Sequence, residues 1–298
     1  MENRALETSL IGESVICLLV INNIKDMAHN AISNILLNSN ELVVIGYIND
    51  VDIEELPKNP RIIFLKIPTR THDLFENPKA DYLPFDNQQF FVLVAYKWEL
   101  FRILFSFGVT RIIYSDLDVA WFSDLSEILD DAHIANPDVR LFIQSATTNP
   151  SNPQLCMGLV SILNDPRTLE MISECFAEHY SRALSGEKIG DDDVISEYYR
   201  KSQASWIREL PQSTFPVGMF LNLLERSARF PGLISVKPFM FHANYVVGMA
   251  NKLTLLQIAK SMASHGHPYS GLNSKQLARL FIKSIRQFRR NHFSKPLR

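Results

Sequence analysis

Two aspartates stand directly after an apolar run near the middle of the chain, where Arg111–Tyr114 leads through Ser115 into Asp116-Leu117-Asp118. In extended geometry residues two apart project to the same side, so the carboxylates of Asp116 and Asp118 can face one point. Ligands of open α/β sheets bind outside the carboxyl ends of the strands, and two hard oxygen ligands there suit Mg²⁺ or Mn²⁺ bridging phosphate oxygens. The competing interpretation of so short a motif is a solvated acidic turn.

A second polar cluster follows the apolar run 239–241 and consists of His242, Asn244, Gly248 and Lys252. His242 and Asn244 are two residues apart and can project to one side, and a neutral imidazole can complete a Mn²⁺ site. Gly248 would let the backbone approach a phosphate, and Lys252 would neutralise its charge. Taken alone, a histidine after an apolar run is more often a residue packed in the core than a metal ligand.

The elements that must position these residues alternate between apolar runs and helical patterns. Continuous apolar strands separated by helices predict an α/β fold with a mostly parallel central sheet flanked by helices. In the first half the predicted strands are Val15–Ile21, Leu42–Ile48, Arg61–Ile67 and Arg111–Tyr114, and the predicted helices are Lys25–Leu37 and a longer one that Asp86 caps and that runs to Phe107. Further along, strands are predicted at 141–143 and 158–162 and a helix at 166–184.

Composition places the chain among ordinary globular proteins. It has 298 residues, 46% hydrophobic and 21% charged, which excludes disorder or a coiled coil as a description of the whole chain. No apolar run approaches the roughly 18 residues that a membrane-spanning helix needs, and Val15–Ile21 is expected to be a buried strand, not a signal peptide. The three cysteines are far apart and lack metal-type spacing, which favours a reducing, cytoplasmic compartment.

Charge is distributed unevenly along the chain. No Asp or Glu follows Glu225, whereas 226–298 contains 13 of the 30 Lys and Arg. Near the end Leu277, Leu280, Phe281, Ile285 and Phe288 recur at helical spacing among basic residues, which predicts a basic amphipathic helix. We therefore expect a main domain over 1–260 and a basic helical extension over 261–298. A peripheral contact with anionic membrane is its expected role, and no nucleic-acid partner is expected because stacking aromatics are few.

The segments 97–125 and 242–252 together resemble the nucleotide-sugar glycosyltransferases of family 77 and their relatives, which include plant cell-wall xylosyltransferases. The first segment has the family's Lys-bearing helix, Gly turn, apolar strand, Asp-x-Asp and following aromatic, and the second has its His-x-Asn followed by Gly and Lys. Asn22, Gln144 and the stretch 156–158 add weaker similarity. The resemblance extends in patches over about 15–255 and does not include the tail.

The resemblance implies a GT-A-like, Rossmann-type fold and retaining transfer from a nucleoside diphosphate sugar, with a UDP-sugar as the expected donor, Mn²⁺ (or Mg²⁺) as the cofactor, and a protein, glycan or lipid as the acceptor. It implies a metal site of Asp116, Asp118 and His242. The donor-binding residues that it implies are Asn22, Lys97, Gln144, Gly158, Asn244, Gly248 and Lys252.

One stretch departs from the family pattern. Related retaining enzymes have an Asp-Gln pair followed by Asn, whereas this chain has Asp191 and Asp192 followed by Ser196. By resemblance Asp191 and Asp192 are the expected catalytic residues, with the Asp192 carboxylate beneath the anomeric carbon, where it would stabilise positive charge or attack. The alternative is a solvated helix N-terminus, where acidic residues are favourable.

Two other functions compete with a transferase. A phosphatase of the haloacid dehalogenase type also has an apolar strand followed by Asp-x-Asp, but usually near its N-terminus, and it leaves 242–252 unexplained. A non-catalytic carbohydrate- or membrane-binding module on a transferase scaffold would account for the basic tail and for Asp192. It would not account for the retained set of Asp116, Asp118 and His242.

Overall fold

The computed structural model describes residues 9–21, 24–48, 51–69, 87–146, 153–217, 239–244 and 249–264. Within them seven strands form one sheet in the order β3-β2-β1-β4-β7-β6-β8. β7 runs antiparallel to β4 and β6, and the other neighbours are parallel, which confirms the predicted α/β fold. The strands are β1 (Ser14–Val20), β2 (Leu42–Tyr47), β3 (Ile62–Lys66), β4 (Arg111–Ser115), β5 (Val119–Trp121), β6 (Leu141–Ser145), β7 (Leu155–Leu163), β8 (Ile207–Leu210) and β9 (Met240–His242).

Helices cover both faces of the sheet. Alternate residues of a strand point to opposite faces, so Cys17 of β1 packs in one core with helix α2, while Ile16 and Leu18 pack in the other with α1. Both faces are therefore buried, which explains why the strands read as continuous apolar runs. The described helices are α1 (Lys25–Asn38), α2 (Gln88–Ser106), α3 (Leu125–Ala135), α4 (Pro166–Leu184), α5 (Asp191–Ser202) and α6 (Met249–Ser264).

Helix α2, which carries Lys97, has an N-cap residue at its start and a glycine just beyond its end. Its N-cap is Asn87, whose side chain accepts a hydrogen bond from the Gln89 N–H at 2.9 Å. The predicted cap, Asp86, lies outside the described residues. Beyond the C-terminus Gly108 has φ +82°, the left-handed conformation that commonly ends a helix.

A two-stranded antiparallel ribbon joins distant parts of the chain. In it β5 pairs with β9, so that Val119 lies opposite His242. The carbonyl of Asp118 accepts a hydrogen bond from the Ala243 N–H at 2.9 Å. The ribbon therefore brings the Asp116–Asp118 motif beside His242.

Among the described residues no helix has both the length and the apolar character needed to cross a membrane. Helix α6 extends to Ser264, and the rest of the predicted basic extension lies outside the described residues. The amphipathic helix of the extension therefore stays a prediction, as does the domain boundary at residue 260.

Candidate active site

Asp116, Asp118 and His242 converge, and each offers one ligand-type atom within 4.8 Å of the others. The two aspartates lie in a turn between β4 and β5, in which the Val119 N–H donates to the Asp116 carbonyl at 3.2 Å. The extended geometry predicted for them is therefore wrong. Their carboxylates meet because the chain turns and because the β5–β9 ribbon adds the imidazole.

His242 is 2% exposed and lies on the backbone of β7. Its Nε2 is 3.1 Å from Asp118 Oδ1 and 3.8 Å from Asp116 Oδ2, while its Nδ1 is 3.0 Å from Gln144 Oε1. A Cβ added to Gly158 would lie 1.9 Å from His242 Cε1, far inside any tolerable contact. Glycine at 158 therefore makes room for the imidazole.

Lys97 joins one of these aspartates to a third carboxylate, that of Asp191. Its buried Nζ donates to Asp116 Oδ1 at 3.2 Å, to the Met157 carbonyl at 3.3 Å and to Asp191 Oδ2. Burial lowers the pKa of Lys97, but Asp116 and Asp191 raise it more, so the net pKa lies well above its usual value. Since an ammonium has three N–H donors, all of them are used within the protein.

Asp191 and Asp192 are the first residues of helix α5, and their pKa values are shifted in opposite directions. Burial raises the pKa of Asp191, but the Lys97 ammonium lowers it more, so its net pKa is below the usual value. Burial and the neighbouring Asp191 charge raise the pKa of Asp192 to about 7, although the Met157 N–H donates to its Oδ1 at 2.6 Å. Paired carboxyl groups with diverging pKa values are typical of acid–base and nucleophilic sites.

Asp118 is held by two cationic or ionisable neighbours. Lys252 Nζ, from helix α6, lies 2.5 Å from Asp118 Oδ2, opposite the His242 contact. Burial raises the pKa of Asp118, but Lys252 and His242 lower it far more, so the carboxyl is ionised. The site thus combines ionised carboxylates with at least one ammonium at its edge.

An irregularity in β7 supplies backbone groups to the site. The pairing of β6 with β7 shifts between Ile143 and Gln144, and Met157 and Gly158 of β7 fall in the gap. The Met157 N–H and carbonyl bind Asp192 and Lys97, and the Gly158 carbonyl accepts from the Asp116 N–H at 2.8 Å. Such bulges commonly occur next to active sites.

Ten of the twelve residues predicted from the sequence lie in one connected network. Asn244 joins it through Cys156, to whose Sγ its Nδ2 donates at 3.5 Å, and Cys156 Sγ is in turn 3.5 Å from His242 Nδ1. Asn22 and Gly248 lie outside the described residues, and their roles stay predictions. The ten are Asp116, Asp118, His242, Lys97, Gln144, Gly158, Asn244, Lys252, Asp191 and Asp192.

Sequence reasoning missed two residues that support the site. The Tyr114 hydroxyl donates to Asp116 Oδ1 at 2.7 Å, and the Lys97 ammonium lies 4.4 Å from the centre of the Tyr114 ring. The position of Tyr114, two residues before Asp116, is a signal that could have identified it, because residues two apart in a strand project to the same side.

The second missed residue is His179 of helix α4, which is fully buried. Its Nδ1 accepts a hydrogen bond from Trp98 Nε1 at 3.3 Å, and its Nε2 donates to the Ile189 carbonyl at 3.0 Å. Trp98 follows Lys97, and Ile189 precedes Asp191 by two residues. His179 therefore fastens together the two segments that form the Lys97–Asp191 ion pair.

The sheet is open and mostly parallel, and a cluster of carboxylates follows its central strand β4, at the edge where α/β proteins of this kind usually bind ligands. A family model described as nucleotide-diphospho-sugar transferase matches residues 63–256. The chain belongs to this family, and it is a glycosyltransferase.

Comparison with solved structures gives the fold. The chain is similar to the crystal structure of mouse xyloside xylosyltransferase 1 in its apo form, with a TM-score of 0.50 and 12% sequence identity. The match covers 79% of this chain and 99% of the mouse chain. The fold is accordingly GT-A-like. No curated protein sequence is detectably similar to this chain.

Proposed function

We propose that this glycosyltransferase moves a sugar from a UDP-sugar to a hydroxyl of its acceptor, with retention of anomeric configuration and with a bound divalent cation. The observation that carries the proposal is the convergence of Asp116, Asp118 and His242 within 4.8 Å in a member of this family. The acceptor is a protein, a glycan or a lipid.

The residues fit a divalent metal by their chemistry. Asp116 and Asp118 offer hard carboxylate oxygens, and His242 offers an imidazole nitrogen, a set that suits Mn²⁺, with Mg²⁺ as the alternative. The ionised Asp118 carboxylate faces His242 Nε2 at 3.1 Å, so both ligand atoms already point to one place. When bound, the cation stabilises the negative charge that develops on the departing diphosphate.

Cationic and small residues near the metal ligands support diphosphate binding. Lys252 reaches Asp118 with 22% of its side chain exposed, so its ammonium lies at the rim, where it can also neutralise a phosphate. Asn244, Gly248 and Asn22 are proposed to contact the donor, as the family resemblance implies.

Lys97, Gln144 and Gly158, which the resemblance also places at the donor, contact other site residues in the described part of the chain. Lys97 donates to Asp116 and Asp191, and Gly158 underlies His242. A direct contact of any of the three with the donor stays a prediction.

In the proposed reaction the bond between sugar C1 and the diphosphate oxygen breaks, and its electron pair leaves with UDP. The acceptor hydroxyl oxygen forms the new bond to C1 on the face that the diphosphate leaves, and the hydroxyl proton passes to the departing diphosphate. The ionised Asp192 carboxylate either stabilises the positive charge at C1 or attacks it to form a transient ester. The hydrogen bond from the Met157 N–H to Asp192 Oδ1, at 2.6 Å, supports this role because it restrains the carboxyl group.

The test is a calorimetric titration of UDP into the protein with and without Mn²⁺. We expect binding that requires the metal and that is lost in Asp116→Ala and His242→Ala. Asp138→Ala and His29→Ala, which alter exposed residues of the same two types, are matched controls and should bind like the unmodified protein. Metal-independent UDP binding, or metal-dependent binding that survives in Asp116→Ala, would contradict the proposed site.

Hydrolysis of a panel of UDP-sugars then identifies the donor. Galactose, glucose, xylose and arabinose donors are compared, and the anomer first released by the preferred donor is read by proton NMR. We expect the configuration of the donor to be retained. An inverted product would overturn the retaining mechanism and the role of Asp192 while leaving the metal site in place.

A further inference from the structure

Gln144 lies behind His242, where the pairing of β6 with β7 shifts, and has no exposed surface. Its Nε2 donates to the Phe215 carbonyl at 3.0 Å and to the Pro216 carbonyl at 3.2 Å, and also lies 3.6 Å from the Met240 sulfur. Its Oε1 is 3.0 Å from His242 Nδ1. Both polar atoms of the Gln144 side chain therefore have hydrogen-bond partners.

These contacts determine which way the amide points. Backbone carbonyls only accept hydrogen bonds, so the NH₂ end of Gln144 must face Phe215 and Pro216. A flipped amide would place its oxygen against two carbonyl oxygens in a buried site, which is strongly unfavourable. Oε1 therefore faces His242, and because it only accepts, His242 Nδ1 must carry a hydrogen.

We infer that Gln144 is a positioning residue that keeps Nδ1 of His242 protonated and thereby directs Nε2 to the metal. Nε2 is the nitrogen that faces Asp118 at 3.1 Å and Asp116 at 3.8 Å. A second hydrogen bond that fixes the tautomer and ring orientation of a metal-binding histidine typically changes metal affinity by 10- to 100-fold. The inference rests on the proposed function in one respect, that His242 is a metal ligand.

Cys156 is the other neighbour of Nδ1, with its Sγ 3.5 Å away. A thiol is a weak acceptor and a weak donor, so it does not select one protonation state of the ring. Burial also raises the pKa of Cys156 well above its usual value, which keeps it a thiol. Cys156→Ala is therefore the matched control, because it removes the other contact to Nδ1 and leaves the amide.

The first measurement is nitrogen-15 NMR of the metal-free protein labelled in its histidines, with His242→Ala used for assignment. We expect a His242 Nδ1–H resonance that is protected from exchange and present in Cys156→Ala. An unprotonated Nδ1 would overturn the inference. This result does not depend on the folding of any Gln144 variant.

The second measurement is calorimetric Mn²⁺ binding. Gln144→Met, which keeps the length of the side chain and removes its polar atoms, should weaken Mn²⁺ binding by about 10- to 100-fold. Cys156→Ala should bind Mn²⁺ within about threefold of the unmodified protein, since it leaves the Gln144–His242 hydrogen bond in place. Unchanged Mn²⁺ affinity in Gln144→Met would overturn the inference.

The two measurements separate the inference from the proposed function. If the unmodified protein binds no Mn²⁺, the proposed metal site fails and with it the part of the inference that concerns the metal. The hydrogen bond from His242 to Gln144 is still decided by NMR. If Mn²⁺ binds and Nδ1 is unprotonated, the metal site stands and the role of Gln144 fails.

Discussion

At the scale of single residues, Gly158 links packing to function because a side chain at this position would occupy the volume of the His242 ring. Gly158→Ala should lower the free energy of unfolding by about 1–3 kcal/mol, as overpacking does, and should abolish metal-dependent UDP binding. Chemical denaturation and calorimetry measure the two effects.

The double variant Gly158→Ala/His242→Ala isolates the cause. With the ring removed, alanine at 158 should cost little stability, so the two changes should be strongly non-additive. Additive destabilisation would mean that the glycine is needed for something other than His242.

The pH dependence of the enzyme should follow Asp192. Its pKa is raised to about 7, and the proposed mechanism needs the ionised form, so turnover should increase as pH rises through about 7. In Asp192→Asn turnover should fall at least about 100-fold, while UDP affinity changes little. Asp193→Asn alters the exposed neighbour and should leave the pH profile unchanged.

The free energy of unfolding gives an independent test of the raised pKa of Asp192. A folded-state pKa raised from 3.8 to about 7 favours folding below about pH 4, and this contribution is lost as pH rises through 7. Asp192→Asn removes the cost of ionisation and should be more stable than the unmodified protein at pH 8, by about 1–3 kcal/mol after allowance for solvent screening. Equal stability at pH 8 would show that Asp192 titrates normally.

At the scale of elements, the buried bridge from Trp98 through His179 to Ile189 aligns helix α2 with the start of α5. His179→Phe should lose about 2–4 kcal/mol of stability because it leaves a buried donor and acceptor unpaired. It should also lower kcat about 10- to 100-fold by misplacing Asp191 relative to Lys97.

His133 provides the matched control because it is also buried, with its Nε2 3.0 Å from Ser161 Oγ, on the β6–β7 part of the sheet. His133→Phe should lose stability but keep kcat. Burial lowers the pKa of both histidines, to about 4 for His133. Each therefore stabilises the fold above its unfolded pKa of about 6.5 and loses this contribution as pH falls, a dependence that both variants should weaken.

Apolar patterns predicted most elements and a mostly parallel sheet, but not which strands pair or which strand is reversed. Helix α4 was predicted with its observed bounds, and β4 to within one residue, because their burial requires continuous or periodic apolar residues. The reversal of β7 was not predicted, since the run 155–163 reads equally well in either direction. The contact of Gln144 with His242 was not predicted either, because it joins residues 98 positions apart.

At the scale of the whole molecule, the basic tail gives the sequence an uneven distribution of charge. Residues 271–298 contain eight Lys and Arg and no Asp or Glu. We propose that they contact anionic membrane, since each basic residue near such a surface contributes about 1 kcal/mol. Removing them should weaken binding to phosphatidylserine vesicles at least tenfold and leave UDP affinity unchanged.

Neutral phosphatidylcholine vesicles are the control, and raising the salt to about 0.5 M should release the unmodified protein from anionic vesicles. Loss of solubility on truncation would contradict the membrane role and show that the tail packs on the main domain.

The peptide groups around Met157 and Gly158 serve Asp192, Lys97 and Asp116 through main-chain atoms alone. Alanine scanning cannot register these contacts, because it leaves every N–H and carbonyl in place and would assign Met157 to the hydrophobic core. Replacing the Met157 amide by an ester deletes one donor without touching a side chain. Part of the proposed site therefore depends on the backbone path of β7, which a change of the Met157 side chain would leave in place.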